Sequence, residues 1–154
     1  MNLKYTIRKG VLEDMPQVLD LIKELALFEK APEEVTNTVE AMQIEYSSPD
    51  SVFHLLVAIV EEKIVGIAIY FRKYSTWKGT GVYLDDIVVT EKMRGQGIGK
   101  ALFERFIVES KKMNAKQVHW QVLDWNSPAI EFYKKYDASM DNEWINCKLS
   151  EEQL

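Results

Sequence analysis

Cysteine is almost missing from this chain: Cys147 is the single one in 154 residues. An internal disulfide and a multi-cysteine metal site are thereby excluded. Histidine is nearly as scarce, with only His54 and His119, so no metal-centred chemistry is expected and no metal ligands are assigned. No apolar run reaches the ~18 residues of a membrane span. The opening Met1-Asn2-Leu3-Lys4-Tyr5 has no signal-peptide core, so no membrane partner is expected and the chain is expected in the cytoplasm. Basic residues are outnumbered, 19 against 24 acids, for a net charge of −5. They form no long stripe, which argues against nucleic acid as a partner. The negative balance is compatible with a cationic substrate and equally with simple solubility.

What the chain does have is enough apolar material for a core, 47% hydrophobic against 28% charged residues. It shows no internal repeat and no Gly/Ser/Pro-rich linker, so one domain spanning 1–154 is expected. Lys4 to Arg8 reads as a strand. Val18, Leu21, Ile22, Leu25 and Phe28 recur at helical spacing within Asp14–Phe28, with Pro16 tolerated in the first turn. A second helix is expected over Thr38–Tyr46, capped by Asn37 or Thr36. Phe53–Val60 and Ile64–Phe71 read as a hairpin joined by Glu61-Glu62-Lys63. Tyr74–Gly81 reads as a connection into a strand that ends at Val89. A helix beyond Lys100, a strand at Gln117–Val122, a helix over Pro128–Tyr136 capped by Ser127, and a closing strand at Trp144–Leu149 complete the order. The fold class is α+β, a mixed and mostly antiparallel sheet flanked by helices. The strand ending at Val89 and the one at Gln117 are joined through a helix and should run parallel.

Glycine, sparse elsewhere, concentrates in Arg94-Gly95-Gln96-Gly97-Ile98-Gly99-Lys100. This turn follows the β-branched run Ile87-Val88-Val89 and opens a helix whose apolar face is Leu102, Phe103, Phe106 and Ile107. Backbone N–H groups at the positive end of a helix dipole form a phosphate site. A Walker A loop is rejected by spacing, because Arg94 stands where its first glycine belongs and Ala101 where its hydroxyl belongs. A Rossmann fingerprint is rejected because the glycines alternate and lie late in the chain.

The remaining pattern, Arg-x-x-Gly-x-Gly after a strand, resembles the acetyl-CoA pyrophosphate loop of the GNAT N-acetyltransferase superfamily. Together with Leu21-Ile22-Lys23-Glu24-Leu25-Ala26, Tyr83-Leu84-Asp85-Asp86 and Trp125-Asn126-Ser127-Pro128-Ala129-Ile130-Glu131-Phe132-Tyr133-Lys134, it is most similar to the diamine acetyltransferases and their thialysine-acetylating relatives.

The resemblance implies acetyl-CoA as cofactor, a splayed parallel strand pair, and a homodimer. It places cofactor contacts at Arg94, Gly95, Gln96, Gly97, Ile98, Gly99 and Lys100, along the backbone of Ile87, Val88 and Val89, and at Asn126 and Ala129. Ala129 stands where the mammalian enzymes carry serine. Tyr133 takes the place of the general acid for the leaving thiolate; a phenol of pKa about 10 is neutral and can serve. Asp85 takes the place of a glutamate that contacts the amine. Strict alternation along a strand would send Asp85 and Asp86 to opposite faces, leaving Asp85 alone on the substrate. Phe28, Glu29, Trp125 and Glu143 are further substrate candidates, although Asp137 replaces a family glycine ahead of Glu143. The implied reaction is acetyl transfer to the primary amine of a small cation, a diamine or polyamine. Thialysine, another amino acid or amine, and a catalytically silent acyl-CoA-binding module are the alternatives.

Overall fold

The computed structural model describes residues 4–154; the reading of Met1–Leu3 lies outside them. The chain divides into two compact units, residues 1–120 and 121–154. In the first, strands β1 (Thr6–Lys9), β2 (His54–Val60), β3 (Lys63–Ser75), β4 (Gly79–Val89) and β5 (Gln117–His119) form one sheet in sequence order. Every neighbouring pair is antiparallel except β4 and β5, which run parallel. Helices α1 (Met15–Phe28), α2 (Val39–Ser47) and α3 (Ile98–Lys112) complete this unit.

The central strands explain why the sheet is covered on both sides. His54–Val60 and Ile64–Tyr70 are apolar at nearly every position, the pattern of a strand buried on two faces. On one face Leu55, Val57, Ile67, Ile69 and Val88 pack with Met15, Val18, Leu19 and Leu21 of α1 and Met42 of α2. α3 lies against β2, β3 and β4, and its Phe106 meets Tyr70 edge-on with ring centroids 5.4 Å apart. Phe103 and Phe106 are fully buried, so truncating either to alanine costs about 3–5 kcal/mol. The start of α1 is tied to β1 by Arg8, which donates to both Asp14 oxygens at 2.7 and 2.9 Å.

Several boundaries differ from the sequence reading. α2 is capped by Thr38, whose hydroxyl accepts from the Ala41 N–H, and not by Asn37 or Thr36. The hairpin β2–β3 turns on Glu61 and Glu62, both left-handed, while Lys63 already pairs with Val60. Most of Tyr74–Gly81 is strand and not connection: β3 and β4 remain paired out to Ser75 and Gly79. Backbone pairing needs no apolar side chains, and the Ser75 hydroxyl closes the turn by accepting from the Trp77 and Lys78 N–H groups.

The second unit contains α4 (Ser127–Lys134). Its cap is Asn126, which accepts from the Ala129 N–H, so Ser127 is the first helical residue and not the cap. The expected closing strand at Trp144–Leu149 does not form: residues 138–150 carry no ladder, and Trp144 and Ile145 are 77% and 88% exposed. A strand exists only where a partner supplies its N–H and C=O groups, which the apolar pattern alone does not provide. Among the described residues no helix is long and apolar enough to cross a membrane.

Candidate active site

The glycine turn sits between β4 and α3, as its flanks require. A 3-10 turn at Glu91–Met93 leads out of β4, and α3 begins at Ile98 with Gly97 as its N-cap. Gly97 and Gly95 have φ of +81° and +73°, conformations that cost a side-chain-bearing residue about 1–3 kcal/mol. No side chain caps this end of the 15-residue helix. A Cβ on Gly95 would meet nothing within 4 Å, and one on Gly97 would meet only the Tyr5 hydroxyl at 3.9 Å. An open surface above backbone donors at a helix N-terminus is what an anionic group requires. Arg94 folds back toward the protein: its Nε donates to the Val89 carbonyl at 3.0 Å, and its guanidinium lies 5.3 Å from the Phe28 ring centre. Phe28, a candidate for substrate contact, thus braces the loop.

β5 pairs only with Gly81–Tyr83 of β4. Leu84–Val89 continue past it without a parallel neighbour, the splay that the family resemblance implied. Ile87, Val88 and Val89 pair with Ala68, Ile67 and Gly66 of β3 and with nothing on β5, and the Val89 carbonyl is already taken by Arg94.

Upstream on β4 the structure corrects the sequence argument. Leu84 pairs with Tyr70 and Asp86 with Ile69, adjacent residues on β3, so Asp85 is an extra residue in a β-bulge. A bulge interrupts alternation, and both Asp85 and Asp86 line one cleft. That cleft encloses about 460 Å³ and is walled by Leu19 and Ile22 of α1, Met42 of α2, Phe53, Ile69 and Phe71, with Glu45 and Asn37 also on its lining. Burial pushes the Asp86 carboxyl up to about 7, with Asp85 and then Glu29 adding like-charge repulsion. Burial also raises Asp85 and Glu29. Asp86 is thus the functional candidate that sequence reasoning set aside, and a local signal could have suggested it: adjacent acids in a strand otherwise facing a core.

Trp125, Asn126, Ala129 and Tyr133 come together on α4 and its approach within the second unit. Asn126, matched by resemblance to a cofactor contact, is occupied as the helix cap. Tyr133 is buried, packed edge-on against Phe132 at 5.2 Å. Burial pushes its phenol up to about 12, a weaker acid than the ordinary value assumed from sequence. Glu143 lies beyond α4 in the irregular segment, exposed, its N–H donating to Asp141.

The family model described as "Acetyltransferase (GNAT) family" matches residues 16–137. The chain belongs to the acetyltransferase (GNAT) family. An acetyl-transferring enzyme follows from this membership, as the glycine turn and its flanks suggested. A bovine relative named thialysine N-epsilon-acetyltransferase is 34% identical over 140 residues, covering 86% of this chain and 82% of its own. A human spermidine/spermine N(1)-acetyltransferase-like protein 1 is 28% identical over 97% of this chain, though that is only 23% of its own length. The fold is shared with a crystal structure of an aminoglycoside acetyltransferase from a soil metagenome, at TM-score 0.78, 20% identity and 95% coverage of both chains. The mixed sheet with its parallel β4–β5 pair is that GNAT fold.

Proposed function

We propose that this chain acetylates the primary amine of a small cationic acceptor, using acetyl-CoA and a single catalytic domain spanning residues 1–154. The observation that carries the reading is the β4 bulge, which turns two carboxyls into an apolar-walled cleft on the strand leading to the glycine turn. An alkylammonium suits such a cleft, since the carboxylates meet its charge and the walls cover its stem. The glycine turn suits the pyrophosphate of CoA, because Gly95 and Gly97 present backbone at an open, uncapped helix start.

When bound, acetyl-CoA supplies the acetyl thioester, whose C–S bond breaks as the C–N bond forms. The chain's own work is proton handling. An ammonium of pKa ~10.4 must lose its proton near neutrality, a cost of ~4 kcal/mol. Asp85 holds the ammonium, and Asp86, with its carboxyl raised to about 7, takes the proton directly or through water. Tyr133 remains a neutral phenol across the working range; its proton would pass to the leaving sulfur, and the phenolate would be restored by the second proton that the acceptor nitrogen gives up on becoming an amide. A diamine or polyamine is the favoured acceptor; Glu29 and Glu143 are the proposed sources of charge for its second amine, and Phe28 and Trp125 are proposed substrate contacts by resemblance. Thialysine is the second reading, favoured by the name of the 34% identical bovine relative. Cytoplasmic placement and a homodimer belong to the same proposal.

The test is thiol release from acetyl-CoA with spermidine, a short diamine, thialysine and no amine. Turnover that depends on one of the amines is expected, whereas an equal background with all of them refutes the reading. Tyr133→Phe should lower turnover about 10²-fold while acetyl-CoA binding persists.

A further inference from the structure

We infer that Glu24 is a positioning residue that sets the geometry of the cofactor loop from across the fold. The inference rests on the reading of the glycine turn as the acetyl-CoA phosphate site. Glu24 lies in the last turns of α1, separated from the loop by more than sixty residues of chain. Both of its carboxylate oxygens are engaged there. Oε2 accepts from the Thr90 hydroxyl at 3.0 Å, and Oε1 accepts from the Glu91 backbone N–H at 2.8 Å. These are the first residues beyond β4, where the chain leaves the sheet and has only the 3-10 turn at Glu91–Met93 before Arg94.

Thr90 is itself held to β3, its N–H donating to the Val65 carbonyl at 2.9 Å. Glu24 therefore grips the exact junction at which a rigid strand gives way to a turn. One helical turn further, on the same face of α1, Phe28 lies beneath the Arg94 guanidinium. Arg94 in turn reaches back to the Val89 carbonyl. The segment from Val89 to Arg94 is thus fastened to α1 at both ends, and the left-handed glycines begin immediately after it. A phosphate cradle made of backbone N–H groups works only if those groups converge, and a loop free to pivot at Thr90 would bind the same ligand with part of its affinity spent on ordering. Glu24 touches no substrate in this scheme. A solvated helix acid, the alternative role for such a residue, would not place both oxygens on one junction.

The test compares Glu24→Ala, Glu24→Gln and Thr90→Val with the wild type by CoA titration calorimetry and steady-state kinetics. Glu24→Ala is expected to raise the Kd for CoA and the KM for acetyl-CoA together, about tenfold, while kcat at saturating cofactor and the amine KM stay within about twofold. Glu24→Gln keeps an acceptor for the Glu91 N–H and should restore most of the affinity. Thr90→Val loses one bond at constant shape and should show a smaller shift in the same direction, which keeps the inference testable should the alanine variant fold poorly. Unchanged CoA binding in Glu24→Ala, or in Thr90→Val when the alanine variant does not fold, overturns the inference while leaving the function reading intact. Failure of the wild type to bind CoA overturns both. A kcat loss with unchanged cofactor KM also overturns it, because that pattern belongs to a residue acting on the chemistry.

Discussion

The glycine turn that follows β4 and the cleft along the middle of that strand are built from different materials. Beyond the C-terminal end of β4 the turn is built from backbone: left-handed glycines and a helix start with no side-chain cap. In the middle of the strand the cleft is lined by side chains, two aspartates brought together by one inserted residue. Backbone N–H groups do not ionise near neutrality, so binding at the glycine turn should depend little on their titration. Carboxyls crowded under an apolar wall titrate, and Asp86 sits at about 7. Under the proposed function, the difference would make the cofactor handle constant across pH and the acceptor site a proton switch.

The largest break of this comparison is Asp86→Asn. Loss of turnover of about 10²-fold or more is expected, with CoA affinity retained. In the wild type, kcat/KM for the amine should fall about tenfold per pH unit below about 7, as the Asp86 carboxyl takes up a proton. The acidic limb should vanish in the variant, and its persistence unchanged would remove Asp86 from the base role. The stability sign is opposite. A carboxyl raised in the folded state contributes stability that is full below its unfolded pKa and is lost as pH rises toward about 7. Asp86→Asn should therefore raise the melting temperature at pH 8 relative to the wild type, and leave it little changed at pH 4.

Next in size is Gly97→Val, which forces a β-branched residue to φ of +81°. It should raise the KM for acetyl-CoA about tenfold or more and cost about 1–3 kcal/mol of stability, with the pH limb of the amine step left where it was. A shifted pH limb would show that the glycine turn and the cleft are not separable. The smallest effect is expected from Gly99→Ala. Gly99 has no left-handed φ, and a Cβ there meets Val89 at an ordinary 3.7 Å, so folding should be unaffected. Any loss of CoA affinity in that variant measures close approach of the ligand itself, and no loss shows that only Gly95 and Gly97 are required.

Legibility followed the same division. The glycine turn could be read because its cause is local: three alternate glycines between a β-branched run and a helical face. α1 and α3 could be read for the same reason, from the spacing of Val18, Leu21 and Ile22 or of Leu102, Phe103 and Phe106. The Asp85–Asp86 pairing could not, because the bulge is defined by what lies opposite on β3. Nor could the loss of the Trp144–Leu149 strand, whose alternating apolar residues are a local pattern awaiting a partner. Asn126 and Ser127 show the finer limit: both are good caps, and the choice between them rests on which one reaches the Ala129 N–H.

The sequence alone determined the order of elements as far as α4 and a glycine turn whose spacing excludes ATP and dinucleotide loops, while the closing strand it suggested did not form. These follow from torsional preferences and periodicity, which act over a few residues. Only the tertiary structure decided that two aspartates share a cleft, that a buried phenol is pushed to about 12, and that Glu24 meets Thr90 across the fold. Those outcomes depend on register, burial and contacts between distant segments, and each exists only once the chain has closed on itself.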